Sequence, residues 1–268
     1  MHKIFTRTAI AAALLTVSQA SMAALIFNAN VTPDVIFGSG NTNGSFTVDQ
    51  NNGVELGLRG KLRHNASGDP ENTFNSNGDG TYSFAAGVAP TQSSPTAVWS
   101  FEWSINSNYV GTSGFNLDDL TYALGLDGDP SQGTSFSVFD PINAVNPATS
   151  AVQWDHAIGD NSTGNGGGTS ITNTTPDAAG YAALIADNNV AQNSWKPHWF
   201  IADFDPTVDG TYDFYLAAFD GSGTQVARTD IQIIVGAGGS AVVPEPGALA
   251  LLGLGIAGLG FARRKTRA

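Results

Sequence analysis

The chain of 268 residues contains no cysteine, so a disulfide scaffold, a thiol nucleophile and a Cys-ligated zinc or iron-sulfur centre are excluded at the outset. Charge is scarce at 13%, and cations are the scarcer sign, with 11 Lys and Arg against 23 Asp and Glu and a net charge of -12. A protein that holds phosphates needs clustered Lys and Arg, so nucleic acid is not an expected partner. Beyond the first few residues the histidines are His64, His156 and His198, and none has a second His two to four residues on. That removes the zincin helix and His-rich metal spacing. A G-x-S-x-G nucleophile elbow, a Walker loop and a Rossmann fingerprint are also missing. The run Gly164-Asn165-Gly166-Gly167-Gly168 lacks the following Lys and the preceding strand. What is present, 41% hydrophobic and 10% aromatic residues, suffices for a packed core.

Both ends read as targeting segments. Lys3 and Arg7 precede an apolar run from Ala9 to Val17, and Ser21 and Ala23 place small residues before a cleavage point between Ala23 and Ala24. This order is that of a secretory signal peptide, expected over residues 1–23 and read by the Sec export machinery. The apolar run is shorter than the ~20 residues a membrane span requires. At the other end, Pro244, Glu245 and Pro246 precede an apolar stretch from Gly247 to Ala262 and the basic stop Arg263, Arg264, Lys265 and Arg267. The two prolines keep the tripeptide extended, so the apolar helix starts afresh after it. At ~1.5 Å per residue that helix reaches about 24 Å, marginal for a ~30 Å hydrocarbon core, and the basic cluster holds its end on the cytoplasmic side.

This three-part tail over residues 243–268 resembles the PEP-CTERM sorting signal of Gram-negative bacteria. The resemblance implies that an exosortase, a membrane transpeptidase-like enzyme, reads Pro244, Glu245 and Pro246. It also implies that the inner membrane holds the protein transiently before it reaches the cell surface or the extracellular space. The body is similar to an uncharacterised domain of such proteins through Trp99-Ser100-Phe101-Glu102-Trp103-Ser104, Asn188 through Trp195, and Phe204 through Phe219. That second resemblance implies no molecular activity.

With both segments removed, five basic and 22 acidic residues remain, a net charge of about -17. Such a body repels anionic surfaces and attracts cations. Residues 24–235 read as one all-β domain, an antiparallel β-sandwich of jelly-roll or immunoglobulin-like type with one short helix, followed by a linker at 236–242. Trp99, Phe101, Trp103 and Ile105 alternate with Ser100, Glu102, Ser104 and Asn106, which predicts a half-buried strand with a polar, solvent-facing side. Leu120, Tyr122, Leu124 and Leu126 repeat the period, Phe136 and Val138 continue it, and Tyr212 to Ala218 with Ile231 to Val235 form a hairpin around Asp220-Gly221-Ser222-Gly223. Further strands are expected at 24–27, 45–49, 54–63 and 82–85. Thr175 as N-cap and Pro176 at the first helical position predict a helix from Pro176 to about Asp187. Asp79-Gly80-Thr81-Tyr82-Ser83-Phe84 is echoed by Asp209-Gly210-Thr211-Tyr212-Asp213-Phe214, marking two corners of one sandwich or one corner in each of two small ones.

Candidate chemistry is sparse, and no catalytic residue is assigned. Asp127 and Asp129, with Asp118 and Asp119 nearby, supply loop oxygens of the kind Ca2+ takes, although the EF-hand pattern fails; the plainer reading is turn hydrogen bonding, with no cofactor. A second acidic group is Asp203, Asp205 and Asp209. Asp155 beside His156 is half of a dyad at most, because adjacent strand residues point to opposite faces. Glu102 and Asp119 are the carboxylates for a glycosidase pair, if their separation allows it. Trp195, Trp199 and Phe200, beside Lys196 and His198, are candidate sugar-stacking rings. The expected function is a non-enzymatic surface or matrix protein, processed by an exosortase and associated with exopolysaccharide or biofilm. The alternatives are a calcium-dependent or glycan-binding adhesion module and a secreted glycoside-active enzyme.

Overall fold

The computed structural model describes residues 24–144, 155–172 and 177–240. The expected signal peptide, Thr175, Pro176, the sorting motif, the apolar tail and the basic stop lie outside the described residues. Among the described residues, no helix is long and apolar enough to cross a membrane.

The described strands are β1 (Ile26–Ala29), β2 (Phe46–Asn51), β3 (Val54–Leu62), β4 (Thr81–Phe84), β5 (Trp99–Asn106), β6 (Thr121–Asp127), β7 (Phe136–Phe139), β8 (His156–Gly159), β9 (Thr169–Ile171), β10 (Val190–Trp195), β11 (Gly210–Phe219) and β12 (Gln225–Val235), with one α-helix, α1 (Ala178–Asp187). They form a seven-stranded sheet in the order β1-β2-β3-β5-β10-β8-β9 and a five-stranded sheet in the order β4-β12-β11-β6-β7, with no closed barrel. The expectation of a wholly antiparallel body is corrected at one place, where β4 runs parallel to β12. β4 is an edge strand reached by the long connection from β3, and the end at which that connection arrives decides its direction.

The sheets stack face to face through the residues whose period-two pattern faces inward. Leu56 and Leu58 of β3, Trp99, Phe101 and Trp103 of β5, Leu124 and Leu126 of β6, Phe214 and Leu216 of β11 and Ile233 of β12 belong to one buried cluster. Trp99 is its hub, with ring centroids 6.0–6.2 Å from those of Phe84, Phe204, Tyr212 and Phe214. At Gly60, on the inward side of β3, a Cβ would stand 2.7 Å from the Phe84 ring, so only glycine lets that ring close on the strand.

The helix differs from expectation at its start. Asp177, rather than Thr175, is the N-cap, and its side chain accepts from the Gly180 N–H, so α1 begins at Ala178. Asp is as good a cap as Thr, and both stood in the same short stretch of sequence. β8, β9 and β10 were not expected, because His156–Gly159 and Thr169–Ile171 are too short to show a period and β10 carries Gln192, Asn193 and Ser194 in its middle.

A larger correction concerns β5. All eight of its residues are buried, including Ser100, Glu102, Ser104 and Asn106. The outer face of the seven-stranded sheet does not meet water here, because residues 31–44 lie across it. Val31, Val35, Ile36 and Phe37 form a second small core with Phe46, Val48, Ala157 and Val190. That covering segment has no regular secondary structure, so its backbone groups need side-chain partners. The polar positions of the sheet supply them. Glu55 accepts from the Thr32 N–H at 2.6 Å, Gln192 accepts from the Ile36 N–H and donates to the Asp34 carbonyl, both at 2.8 Å, and Asn106 donates to the Thr32 carbonyl at 2.9 Å. Arg59 donates to the carbonyls of Thr42 (3.1 Å) and Gly44 (2.5 Å), and Lys61 to the Asn41 side chain.

The internal echo resolves as two strands of one sheet. Tyr82 on β4 and Tyr212 on β11 lie on either side of Ile233 on β12, at the same register position. The Tyr82 copy is not the corner of an immunoglobulin-like domain, since its hydroxyl donates to the Ser45 carbonyl, at 2.7 Å, beside β2 of the opposite sheet. Burial pushes both phenols up to about 12.

Burial also raises Asp49 and Glu55 above the ordinary carboxylate value. A carboxyl raised in the folded state takes its proton there before the unfolded chain does. Its contribution to stability therefore grows as pH falls through the raised value and levels off near the ordinary ~4. Relief of self-repulsion at about -17 acts in the same direction. Burial of His198 works against this, because a lowered imidazole loses stability as pH falls through its ordinary ~6.5, so the two carboxyls are isolated by comparison. Asp49→Asn with Glu55→Gln should gain less melting temperature than the natural protein as pH is lowered from 7 towards ~4. An identical pH dependence of the two proteins would refute this assignment.

Candidate functional site

The loop aspartates share one local device. In Asp79-Gly80-Thr81, Asp160-Asn161-Ser162, Asp205-Pro206-Thr207 and Asp220-Gly221-Ser222, the aspartate Oδ1 accepts from both the backbone N–H and the hydroxyl of the residue two positions on, at 2.6–3.0 Å. These hydroxyl and amide donors hold all four carboxyls below their ordinary value. D-x-S/T is thus a turn signal readable from sequence.

Asp127 and Asp129 do come together, but through backbone. Asp127 is fully buried, and its Oδ1 accepts from the N–H groups of Asp129 (3.0 Å) and Ser135 (2.7 Å), while Asp129 accepts from the Ser131 N–H at 2.9 Å. The pair closes the turn between β6 and β7. Asp119 accepts from the Asn116 N–H at 2.8 Å. Among the described residues, no group of three or more His, Asp or Glu converges as a metal site.

Glu102 and Asp119 are not partners. Glu102 is sealed under residues 31–44, with Arg59 Nε at 2.6 Å, Arg59 Nη2 at 2.5 Å and Lys61 Nζ at 3.3 Å, whereas Asp119 lies on an exposed turn. The guanidinium is itself held between the rings of Phe46 and Phe74, 4.0 and 3.7 Å from their centroids. His156 is buried, its ring 5.9 Å from Trp103 and its Nε2 3.3 Å from the Tyr181 hydroxyl, while the carbonyl of Asp155 accepts from Trp195 Nε1 at 2.9 Å.

Of the three rings expected to face solvent, one does. Trp195 is buried and Phe200 half-buried, stacked among Phe101 and Phe139, while Trp199 is 55% exposed. Lys196 lies 5.9 Å from the Trp199 ring and is lowered by burial and then by Arg63; His198 is lowered by burial and then by Lys196.

A concavity of about 450 Å3 lies elsewhere, on the outer face of the five-stranded sheet. Its floor is built in rows by strand register. Thr81, Gln232 and Asp213 stand side by side across β4, β12 and β11, and Asp230, Tyr215, Gly125 and Val138 form the next row across β12, β11, β6 and β7. Gln232 donates to Asp213 at 2.8 Å, and Arg228 grips Asp230 through Nε and Nη2 at 2.5–3.1 Å. Those bonds to Asp230 hold the guanidinium above its ordinary value. A Cβ at Gly125 would run into the Tyr215 ring, so glycine lets the phenol lie down on the sheet, with Arg228 4.2 Å above the ring centroid. Phe136, 40% exposed, meets Tyr215 edge-on at 5.2 Å. On the opposite wall Phe27, 42% exposed, rests over Gly80, where a Cβ would stand 3.0 Å from the ring.

Sequence reasoning passed over these residues because outward positions of an alternating strand read as plain solvent face. The available signal was the composition of that face, with Asp213, Tyr215, Arg228, Asp230 and Gln232 all on two adjacent strands.

Comparison with known proteins places the PEP-CTERM protein-sorting motif at residues 242–265, in agreement with the reading of the tail. No match to the chain was found among curated proteins or among solved structures.

Proposed function

We propose that this chain, an exosortase-targeted surface protein by virtue of the sorting motif at residues 242–265, acts without catalysis, as an acidic two-sheet module presented to exopolysaccharide at the surface or in the matrix of a Gram-negative bacterium. The observation that carries the reading is the motif and its position. β12 ends at Val235, so release at Pro244-Glu245-Pro246 leaves both sheets whole. The non-enzymatic part draws support from the carboxylates, since Glu102 is committed to buried cations and the loop aspartates to turns.

The test follows processing. Expressed in matched hosts with and without the exosortase, the protein should lose its tail and reach the surface or medium only where the enzyme is present, with the new C-terminus located by mass spectrometry. Glu245→Ala should leave the tail on in both hosts. An intact C-terminus in both for the natural sequence would end the sorting proposal.

A further inference from the structure

We propose that the groove on the outer face of the five-stranded sheet is a binding site for a neutral, hydroxyl-rich saccharide chain. The inference rests on the exported role above only for the place where the sugar is met.

Two exposed aromatic walls, Phe27 and Phe136, face each other across a floor of paired polar side chains. A sugar ring is two-sided in the same way, with C–H groups on its faces and hydroxyls around its rim. C–H faces pack on aromatic rings, and rim hydroxyls find both donors and acceptors in the planar groups of Gln232, Asp213, Asp230 and Arg228. The floor is already ordered by its own hydrogen bonds, so little rotamer freedom is lost when a ligand arrives. The volume of about 450 Å3 falls within the ~300–1,000 Å3 usual for small-ligand sites, and the groove is open to solvent rather than closed over, so a residue of a longer chain can enter it.

Charge selects among saccharides. Asp79, Asp213 and Asp230 line the groove with Arg228 as the single cation, and the body as a whole is strongly acidic. A uronate or sulfate polymer would be repelled from this surface, and a neutral one would not. An apolar peptide would have to strip water from three carboxylates and a guanidinium, which disfavours it equally.

Two glycines point the same way. Mid-strand Gly125 weakens β6, yet it is what lets Tyr215 lie flat, and Gly80 admits Phe27 in the same manner. The Phe27 wall and the Tyr215 part of the floor therefore each depend on the absence of a side chain beneath a ring.

The full chain, purified from the expressing host, is applied to an array of neutral tetra- to octasaccharides of glucan, mannan and galactan type, with alginate and hyaluronan oligomers alongside. At least one neutral series should be retained and the anionic oligomers should not. Phe136→Ala and Asp213→Asn should each weaken retention roughly tenfold or more, and Trp199→Ala, at the other exposed ring, should leave it unchanged. Phe136 is on an edge strand and exposed, so its truncation leaves the fold standing, as an unchanged melting temperature would verify. Retention of no neutral series, preference for the anionic oligomers, or neutral retention indifferent to both groove variants would overturn the proposal. So would groove variants that alter only self-association, which would make a second copy the occupant. Processing of the tail is read from the C-terminus, so either reading can fail without the other.

Discussion

Replacing Glu102 by alanine is expected to destabilise the protein by about 3–5 kcal/mol, among the largest effects available to a single substitution, because it strands two cations inside the structure. Arg59 and Lys61 are buried beneath residues 31–44, and Glu102 is the carboxylate that compensates both. For a domain of this size the midpoint should fall by roughly 6–20 °C. Glu102→Gln keeps an acceptor but removes the charge, and should retain only part of the stability. The informative control is the simultaneous change Arg59→Met, Lys61→Met and Glu102→Leu. A buried ion cluster is weak evidence for net stability, since desolvation of the charges offsets most of their attraction. The triple variant should therefore lie closer to the natural protein than Glu102→Ala does. The carbonyls of Thr42 and Gly44 would then lack their Arg59 donor, so residual loss is expected in the covering segment, seen as faster amide exchange at 31–44. If Glu102→Ala melts within a degree or so of the natural protein, the cluster is hydrated rather than sealed.

The second large effect is expected at Trp99. Its truncation to alanine removes the ring that joins Phe84, Phe204, Tyr212 and Phe214 across the two sheets, and should cost about 3–5 kcal/mol. Trp199→Ala, with the ring 55% exposed, should change stability by no more than about 0.5 kcal/mol. The same chemistry removed at two places thus separates core from surface. Equal losses would mean that Trp199 is covered in the folded protein. Both variants can be measured by denaturant unfolding, where a shifted midpoint at constant slope identifies a pure change in stability.

Much of the fold is legible in the sequence. The alternation in 97–106, 120–126 and 212–218 located β5, β6 and β11, and the Asp220-Gly221-Ser222-Gly223 turn joined β11 to β12 as expected. Pattern works there because one face of each strand is apolar and the other is not. It was silent for β10, where Gln192 is polar and buried, and for β8, which is too short to have a period. It misjudged the far side of β5, because a polar residue that faces water and one that caps a buried loop are written with the same letters. Glu55, Arg59, Asn106 and Gln192 are polar because residues 31–44 need hydrogen-bond partners, and Glu102 because Arg59 and Lys61 need a counter-charge, and those needs arise only when a distant segment lies over them.

The candidate sites divide along the same line. Glu245 between two prolines, the D-x-S/T turns and the pair Asp127 and Asp129 are local arrangements, and their meaning is carried by neighbours in the chain. The groove joins Phe27, Asp79, Phe136, Tyr215 and Arg228 from five separate stretches, and no spacing rule connects them. Likewise Trp195 and Trp199 are four residues apart and alike in sequence, yet one is core and the other surface. By itself the sequence determined the sorting motif, the β class, the strand positions with strong alternation and the turn chemistry, since each follows from local charge, periodicity or backbone preference. Only tertiary structure decided which polar residues are buried, which aromatic rings are exposed and where a cleft opens, because burial depends on what packs above a residue and not on what precedes it.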